Sequence, residues 1–304
     1  MNNSALMAMT IMGGLLSATL SFLHLLPFPG LIFLSYFSTL PLFLIGLGIG
    51  LRPLYGAGLV ATFLILLVEG PLSTGEFLIF SVLGPAFLIN RALLNRKLSS
   101  GKITWYPSSL LLRDLTLISG VIMLLALGIF FYLTNGENIH TLIQKLLKVI
   151  DPQGHMKSIE PVLVRVFPLL PGFFALSWMG MMLINAVLAQ GLLVRFNWNL
   201  RPSPSFEDLK VPQNFLIFLG IFLLLSIIGI GFIELLGKNA IFILVFPFFL
   251  VGLSLIHHWT NKSPFRTTIL TLFYFLLFVF VWPVLIITLL GILKPWVEKL
   301  PSLN

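Results

Sequence analysis

The sequence predicts an all-α fold: a polytopic transmembrane helical bundle of about eight to nine spans, with one amphipathic interfacial helix. Three observations predict it. Of the 304 residues, 58% are hydrophobic and 9% are charged, whereas soluble domains are roughly half apolar and a quarter charged. The mean hydropathy is +1.05. The apolar residues also gather in runs of roughly 17 to 25 residues, which is the length that crosses a bilayer.

Nine apolar runs are candidate spans, and they cover residues 5–26, 31–51, 54–69, 76–93, 109–133, 167–194, 213–235, 239–259 and 267–293. The first run has no Lys or Arg before its apolar core. We therefore interpret it as a retained helix rather than a cleaved signal peptide. The third run is short and rich in glycine, which leaves eight spans as an alternative.

Residues 134–166 form a hydrophilic insertion within what we predict to be a single integral membrane domain, residues 1–304. The insertion separates N-terminal helices (1–133) from C-terminal helices (167–304). Its apolar residues recur at helical spacing, which predicts an amphipathic helix lying in the interface plane: Ile139, Leu142, Ile143, Leu146, Leu147 and Ile150. This helix is either a lid over an outward-facing pocket or a packing helix between two spans.

The charge balance is basic, with 18 Lys and Arg against 10 Asp and Glu. No basic patch with interleaved aromatic residues accompanies it, so we expect the lipid bilayer, and no nucleic acid, as a partner. A nine-span topology with a cytoplasmic N-terminus places more Lys and Arg in the inner loops than outside, as the positive-inside rule requires. That topology puts the loop at 195–212 inside and Lys294 outside.

Motifs for catalysis are absent from the sequence. It lacks the GxxxxGK[ST], HExxH and GxSxG patterns and contains no cysteine, so we expect neither enzymatic activity nor a cofactor. Uphill transport would draw its energy from ATPases on other chains or from an ion gradient. His257 and His258 are adjacent and would point about 100° apart on a helix. That orientation suits an interfacial belt better than a metal site.

Ionisable groups inside spans are costly and mark functional sites. Glu69 is the strongest candidate, because Gly70 and Pro71 end its helix and can turn the carboxylate inward. Four further residues could line the same outer cavity, which gives a candidate ligand set of His24, Tyr36, Thr39, Glu69 and Trp178. The alternative for these ionisable groups is an interfacial position in contact with water.

Polar and small residues within the spans also have two interpretations. Asn185 either bonds a neighbouring helix or contacts a ligand. Small residues four apart allow helices to approach closely, and they form three pairs: Gly14 and Ala18, Gly46 and Gly50, and Ala57 and Ala61. These faces either pack the bundle internally or, on the first helix, dock a partner.

The loop RFNWNLRPSPSFEDLKVP at residues 195–212 is stiffened by its prolines, which fix φ and lack a backbone donor. One interpretation is a rigid interfacial staple between two spans. The other is a cytoplasmic docking site that uses Arg201, Glu207 and Asp208.

The chain carries six distinctive motifs: NAVLAQ at 185–190, LRPSPSFEDLKVP at 200–212, NAIFILVFPFFLVGLSLIHHW at 239–259, LFYFLLFVFVWPVLIITLLGILKPW at 272–296, LPLFLIGLGIGLRPLYGAGLVA at 40–61 and WYP at 105–107. Together they resemble the predicted bacterial membrane proteins of domain of unknown function 2232, the YybS-like family. The resemblance implies a multi-pass protein of the bacterial inner membrane and no particular activity.

Residues 29–68 are more distantly similar to the substrate-binding S components of energy-coupling-factor vitamin transporters. That similarity implies a small-solute site at the outer side and docking on a membrane coupling subunit with two ATPases. In such components small residues of the first helix face the coupling subunit, a role that would fall to Ala5, Ala8, Gly14 and Ala18. The chain differs in its greater number of spans and in the insertion. The alternative function is a non-transporting envelope interaction or assembly protein.

Overall fold

The structure, a computed structural model, describes residues 2–28, 30–134, 139–151, 155, 157–207, 209–212 and 214–297. Its elements are helices apart from one short hairpin, so the predicted all-α bundle is confirmed. Contacts divide the chain into two compact units. Unit 1 comprises Met1–Leu111 and Trp178–Pro204, and unit 2 comprises Leu112–Ser177 and Ser205–Asn304.

Unit 1 is built mainly from the first six helices, which are α1 (Asn3–Phe22), α2 (Leu31–Ser35), α3 (Leu40–Gly48), α4 (Leu51–Glu69), α5 (Pro71–Phe77) and α6 (Gly84–Ala92). A π-helical turn, Leu78–Leu83, joins α5 to α6, and β1 (Asn95–Lys97) pairs antiparallel with β2 (Ile103–Trp105). Asn2 caps α1, because its Oδ1 accepts from the Ala5 N–H at 3.0 Å.

Small residues bring α1 against α4 in unit 1. A Cβ at Gly14 would lie 2.5 Å from the Ala57 carbonyl oxygen, so only glycine fits there. Ala18, Ala57 and Ala61 are fully buried. In a bilayer the hydrophobic effect does not drive helices together. Close approach of two backbones through small residues supplies the van der Waals contacts that hold them. The small-residue spacing in α1 and α4 therefore serves internal packing.

Unit 2 contains most of the later helices, namely α7 (Ser108–Thr134), α8 (Ile139–Ile150), α9 (Glu160–Val166), α10 (Leu170–Arg195), α11 (Asn214–Ile228), α12 (Phe232–Thr260), α13 (Arg266–Val279) and α14 (Pro283–Val297). The first residues of α7 and the greater part of α10 belong to unit 1. Phe215 and Leu219 of α11 form a buried cluster with Leu244 and Phe248 of α12. In the insertion, Ile143 is buried while Val149 is exposed, and Gln144 Nε2 of α8 donates to Glu160 Oε1 of α9 at 2.9 Å.

The closest helix contact in unit 2 is between α12 and α14. A Cβ at Gly252 would lie 1.8 Å from the Ile287 carbonyl oxygen, and a Cβ at Gly291 would lie 1.8 Å from the Phe248 carbonyl oxygen. Each helix thus presents a glycine to the other helix's backbone. Neither backbone can yield like a flexible side chain, so both positions require glycine.

We expect Gly252→Ala to lower the free energy of unfolding by about 1–3 kcal/mol, because the added methyl forces α12 and α14 apart. The matched control is Gly220→Ala on α11, where an added Cβ meets nothing within 4 Å. That variant should be neutral or slightly stabilising, because alanine favours helix over glycine. The measurement is thermal unfolding of both purified variants in the same detergent. Equal melting temperatures would contradict the close contact.

Within the described residues, seven helices are long and apolar enough to cross a membrane, and the count rises to eight if α13 and α14 form one broken span. The nine-run count is therefore too high, and the eight-span alternative agrees better. Two of the runs do not form a single helix long enough to cross a membrane. The run at 213–235 is broken at residues 229–231, where Gly231 has φ +60°, and α11 keeps 15 residues, or about 22 Å. The run at 267–293 bends by 119° between α13 and α14.

Both ends of the α13–α14 pair lie near the same end of α12. Arg266 at the start of α13 donates from Nη1 to Asn261 Oδ1 at 2.9 Å, directly after α12 ends. Lys294 of α14 donates to the Glu207 carbonyl at 2.9 Å, and the Glu207 carboxylate lies 3.2 Å from His258 Nδ1 of α12. The pair therefore bends back toward the end of α12 from which it started. The predicted topology, with Lys294 on the opposite side from the loop at 195–212, is wrong on this point.

Candidate functional site

The second span of unit 1 is broken at Tyr36–Thr39, between α2 and α3. The amides of Phe37, Ser38 and Leu40 each bond the carbonyl three residues earlier, at 3.0 Å, instead of four. Pro41 explains the break, because it lacks an N–H for the Phe37 carbonyl and disfavours the α conformation at the residue before it. Irregular backbone inside a membrane protein needs other donors, and such breaks line solute sites in transporters.

Two side chains from other helices supply those donors. Asn185 Nδ2 of α10 donates to the Tyr36 carbonyl at 2.8 Å, and Ser17 Oγ of α1 donates to the Ser38 carbonyl at 2.6 Å. Asn185 and Ser17 are both buried. The break is thus held by two helices of unit 1, α1 and α10, and Asn185 does bond a neighbouring helix.

Two buried oxygen atoms beside this break have no hydrogen-bond partner within the described residues. They are Thr39 Oγ1 and Asn185 Oδ1, on side chains that are 0% and 1% exposed. A buried polar atom without a partner costs about 1–3 kcal/mol. A ligand with hydrogen-bond donors would remove that cost, so these atoms are candidate ligand contacts.

Glu69 ends α4 at Gly70, whose φ of +84° turns the chain into α5. Its side chain is 11% exposed, and Oε2 lies 3.9 Å from His24 Nε2. The other carboxylate oxygen, Oε1, is buried without a hydrogen-bond partner. Thr62 Oγ1 is also buried and unbonded. It lies on nearly the same face of α4 because seven residues make about two turns.

The structure places the five predicted ligand residues in different roles. His24 and Glu69 face each other, and Thr39 is buried with its hydroxyl unbonded. Tyr36 contributes its carbonyl to the break, while its side chain is partly exposed. Trp178 is buried and donates from Nε1 to the Phe80 carbonyl at 3.0 Å, in the π-helical turn. The bond to Phe80 gives Trp178 a structural role.

Three further ionisable groups of the spans have partners. Asp114 Oδ1 accepts from Arg113 Nη2 at 2.8 Å, and Glu234 forms an ion pair with Lys238. His257 Nε2 lies 2.8 Å from the Tyr274 hydroxyl. No group of three or more His, Cys, Asp or Glu that could hold a metal ion occurs in the part of the chain that the structure describes.

Arg201, a predicted docking residue, is 5% exposed in unit 1. Its Nη1 donates to the Ala92 carbonyl at 2.8 Å and its Nη2 to the Tyr106 carbonyl at 3.1 Å, while the guanidinium lies 5.9 Å from the Trp105 ring centre. Burial lowers the pKa of Arg201, yet a guanidinium stays charged at physiological pH. Since Ala92 ends α6, Arg201 caps that helix. The contacts favour the staple interpretation of the loop.

The remaining docking candidates are placed as follows. Glu207 pairs with His258 in unit 2, and Asp208 lies outside the described residues. On α1, Gly14 and Ala18 are buried, whereas Ala8 is exposed and Ala5 is half-buried. Only the start of α1 thus leaves small residues accessible.

Two buried polar residues of unit 2 were not predicted from the sequence. Lys294 is 4% exposed, and its Nζ donates to the carbonyls of Glu207 and Leu209 at 2.9 and 3.0 Å and to Ser254 Oγ at 3.0 Å. Asn239 Oδ1 accepts from the Gly172 N–H at 2.7 Å. The available signal was their position: each is a polar side chain inside or at the end of an apolar run.

The apolar helices, the broken second span and the buried contacts of Arg201 and Lys294 with backbone carbonyls define the class: a polytopic α-helical membrane protein. The chain belongs to the family described as "Predicted membrane protein (DUF2232)", which matches residues 15–293. This match confirms the family resemblance drawn from the motifs. No curated protein and no solved structure matches the chain. The similarity to energy-coupling-factor S components stays a prediction.

Proposed function

We propose that this protein is a transport-related subunit of the bacterial inner membrane that binds a small cationic solute in unit 1. The observation that carries the proposal is Glu69. Its carboxylate is mostly withdrawn from water, and Oε1 has no hydrogen-bond partner within the described residues. Burying a carboxylate without compensation is costly. His24 alone compensates poorly, because 3.9 Å is long for a hydrogen bond.

The unbonded atoms indicate the chemistry of the solute. Within the described residues, four of the five buried unbonded atoms are oxygens, and the fifth is Arg201 Nε in the loop after α10. The oxygens are the hydroxyls of Thr39 and Thr62, the carboxylate of Glu69 and the amide oxygen of Asn185. A carboxylate and an amide oxygen only accept hydrogen bonds, and a hydroxyl can accept them. A donor-rich cation, such as a protonated amine, therefore fits this set better than an anion does.

Orientation and energy supply complete the proposal. The N-terminus is cytoplasmic, as the distribution of Lys and Arg favours, so Glu69 lies toward the outer side. Because the sequence has no phosphate-binding GxxxxGK[ST] loop, energy comes from a coupling subunit with separate ATPases or from an ion gradient. The accessible start of α1, around Ala8, is the surface we assign to such a subunit.

We expect Glu69→Gln to lower the affinity for cationic solutes about tenfold or more, because it removes the counter-charge while keeping the shape. The measurement is a thermal-shift screen of the purified protein against amines, vitamins and nucleobases, followed by calorimetry on each hit. The control is Glu234→Gln, which removes one charge from an ion pair in unit 2. Stabilisation by anions alone, or equal affinities for both variants, would contradict the proposal.

A pull-down after crosslinking separates transport from the alternative, an envelope interaction or assembly role. Recovery of a membrane coupling subunit together with ATPases supports the transport proposal. A stable envelope partner without such subunits, combined with no solute binding, supports the alternative.

A further inference from the structure

A cleft of about 560 Å³ lies along α13 in unit 2, far from Glu69 in sequence. It is lined by Arg266, Thr267, Leu270, Thr271 and Tyr274. The cleft is wide open, and all five lining residues lie on α13, so it is a surface site and not an enclosed pocket. None of the residues of α13 is buried, so this helix packs loosely. The cleft therefore offers a side of α13 to a ligand.

The lining residues share one face of α13. Thr267, Thr271 and Tyr274 are spaced by four and three residues, which places their side chains in a row. The hydroxyls of Thr267 and Thr271 have no hydrogen bond to any residue that the structure describes, whereas the Tyr274 hydroxyl is held by His257 at 2.8 Å. Two hydroxyl donors thus point to no protein acceptor.

Arg266 stands at the start of this row. Its Nη1 donates to Asn261 Oδ1 at 2.9 Å, and within the described residues the guanidinium makes no other hydrogen bond. The Nε and Nη2 edge is therefore left for a second, bidentate contact, the geometry in which arginine binds a phosphate.

The positive charge and the apolar surface around the cleft indicate a ligand that has both an anionic group and an apolar part. The turn from α12 to α13, residues 261–266, carries Lys262 and Arg266 and no acid. Phe265 and Phe275 are 70% and 60% exposed beside it, and Leu270 lies in the cleft wall. A free anion would use only the polar groups. A lipid uses both, because its phosphate meets the cations and its acyl chains meet the apolar side chains.

We propose that this cleft binds an anionic phospholipid, with the headgroup phosphate on Arg266 and the hydroxyls of Thr267 and Thr271. The polar row holds the headgroup, and the exposed aromatic side chains cover the first methylenes of the acyl chains. The proposal does not depend on solute binding in unit 1.

The test is native mass spectrometry of the full chain in detergent, titrated with phosphatidylglycerol, with phosphatidylcholine or with inorganic phosphate. Arg266→Gln should weaken phosphatidylglycerol binding about tenfold or more, and Thr271→Val should weaken it by a smaller factor. Lys262→Gln removes the same charge four residues away but does not line the cleft, and it should bind within about twofold of the wild type.

Preference for phosphatidylglycerol over phosphatidylcholine, lost in Arg266→Gln and kept in Lys262→Gln, is the expected result. Wild-type binding by Arg266→Gln, or equal losses in both variants, would overturn the site. Equal binding of phosphatidylcholine, whose headgroup carries the same phosphate but no net charge, would overturn the preference for an anionic lipid. Competition by inorganic phosphate at the affinity of the lipid would overturn the lipid as its ligand. Circular dichroism of each variant shows that a lost signal does not come from misfolding.

Discussion

Lys294→Met is expected to lower the free energy of unfolding of unit 2 by about 3 kcal/mol or more. The buried ammonium supplies donors to the carbonyls of Glu207 and Leu209 and to Ser254 Oγ. Methionine keeps most of the volume but donates nothing, so two backbone carbonyls lose a charged partner, at about 1.5–3 kcal/mol for each such bond. Denaturant unfolding in detergent measures the change.

The control for Lys294→Met is Lys148→Met on α8, because that lysine is exposed and its loss should cost little. Limited proteolysis gives an independent readout. Residues 205–212 should be cleaved faster in Lys294→Met, since the hydrogen bonds from Lys294 to the carbonyls of Glu207 and Leu209 are lost. Equal stability of the two variants, with no faster cleavage, would show that the buried contacts of Lys294 do not hold this segment.

Arg201→Ala is expected to destabilise unit 1 by about 3 kcal/mol. The carbonyls of Ala92 and Tyr106 lose their charged donor, and the ring of Trp105 loses its cation. The end of α6 and the hairpin β1–β2 should then open together. Hydrogen exchange of residues 92–106 and the melting temperature are the two measurements.

Arg201→Lys serves as the graded comparison, because a lysine keeps the charge but cannot hold two carbonyls in the fixed fork of a guanidinium. The loss of stability in Arg201→Lys should therefore lie between that of Arg201→Ala and that of the wild type, which is zero. Arg195→Ala, at an exposed position, should leave the melting temperature nearly unchanged. If Arg201→Ala keeps wild-type stability yet loses a cytoplasmic partner in a pull-down, the loop is a docking site and not a staple.

Much of the fold was predictable because the bilayer restricts what a chain can do. Long apolar runs must become helices when no water is present to bond the backbone, and α4, α7 and α12 follow their runs within a few residues at most ends. Where a run contains a strong local breaker, the outcome was less predictable. The Gly229–Gly231 segment and the bend before Pro283 interrupt runs that hydropathy alone treats as continuous.

The candidate site was predictable in part. The proximity of His24 and Glu69 follows from the order of the spans: one returning span separates α1 from α4, so the C-terminal ends of α1 and α4 lie on the same side. The role of Asn185 at the Tyr36 carbonyl is a contact over 149 residues, and no local pattern encodes its partner. The same holds for Gly252 and Gly291. Their spacing shows no motif, because each glycine matches a backbone on another helix instead of a neighbour on its own.

The hydrogen bonds from Lys294 to the carbonyls of Glu207 and Leu209 also set an order for assembly in the membrane. Lys294 follows Glu207 by 87 residues, which a ribosome adds in roughly 4 to 17 seconds. During that interval the carbonyls of Glu207 and Leu209 must be hydrated, so the segment has to wait at the membrane surface. Unit 1, whose last residue is Pro204, is complete before that wait begins. Unit 1 can therefore finish packing while unit 2, which includes Leu112–Ser177, stays open until α14 is inserted.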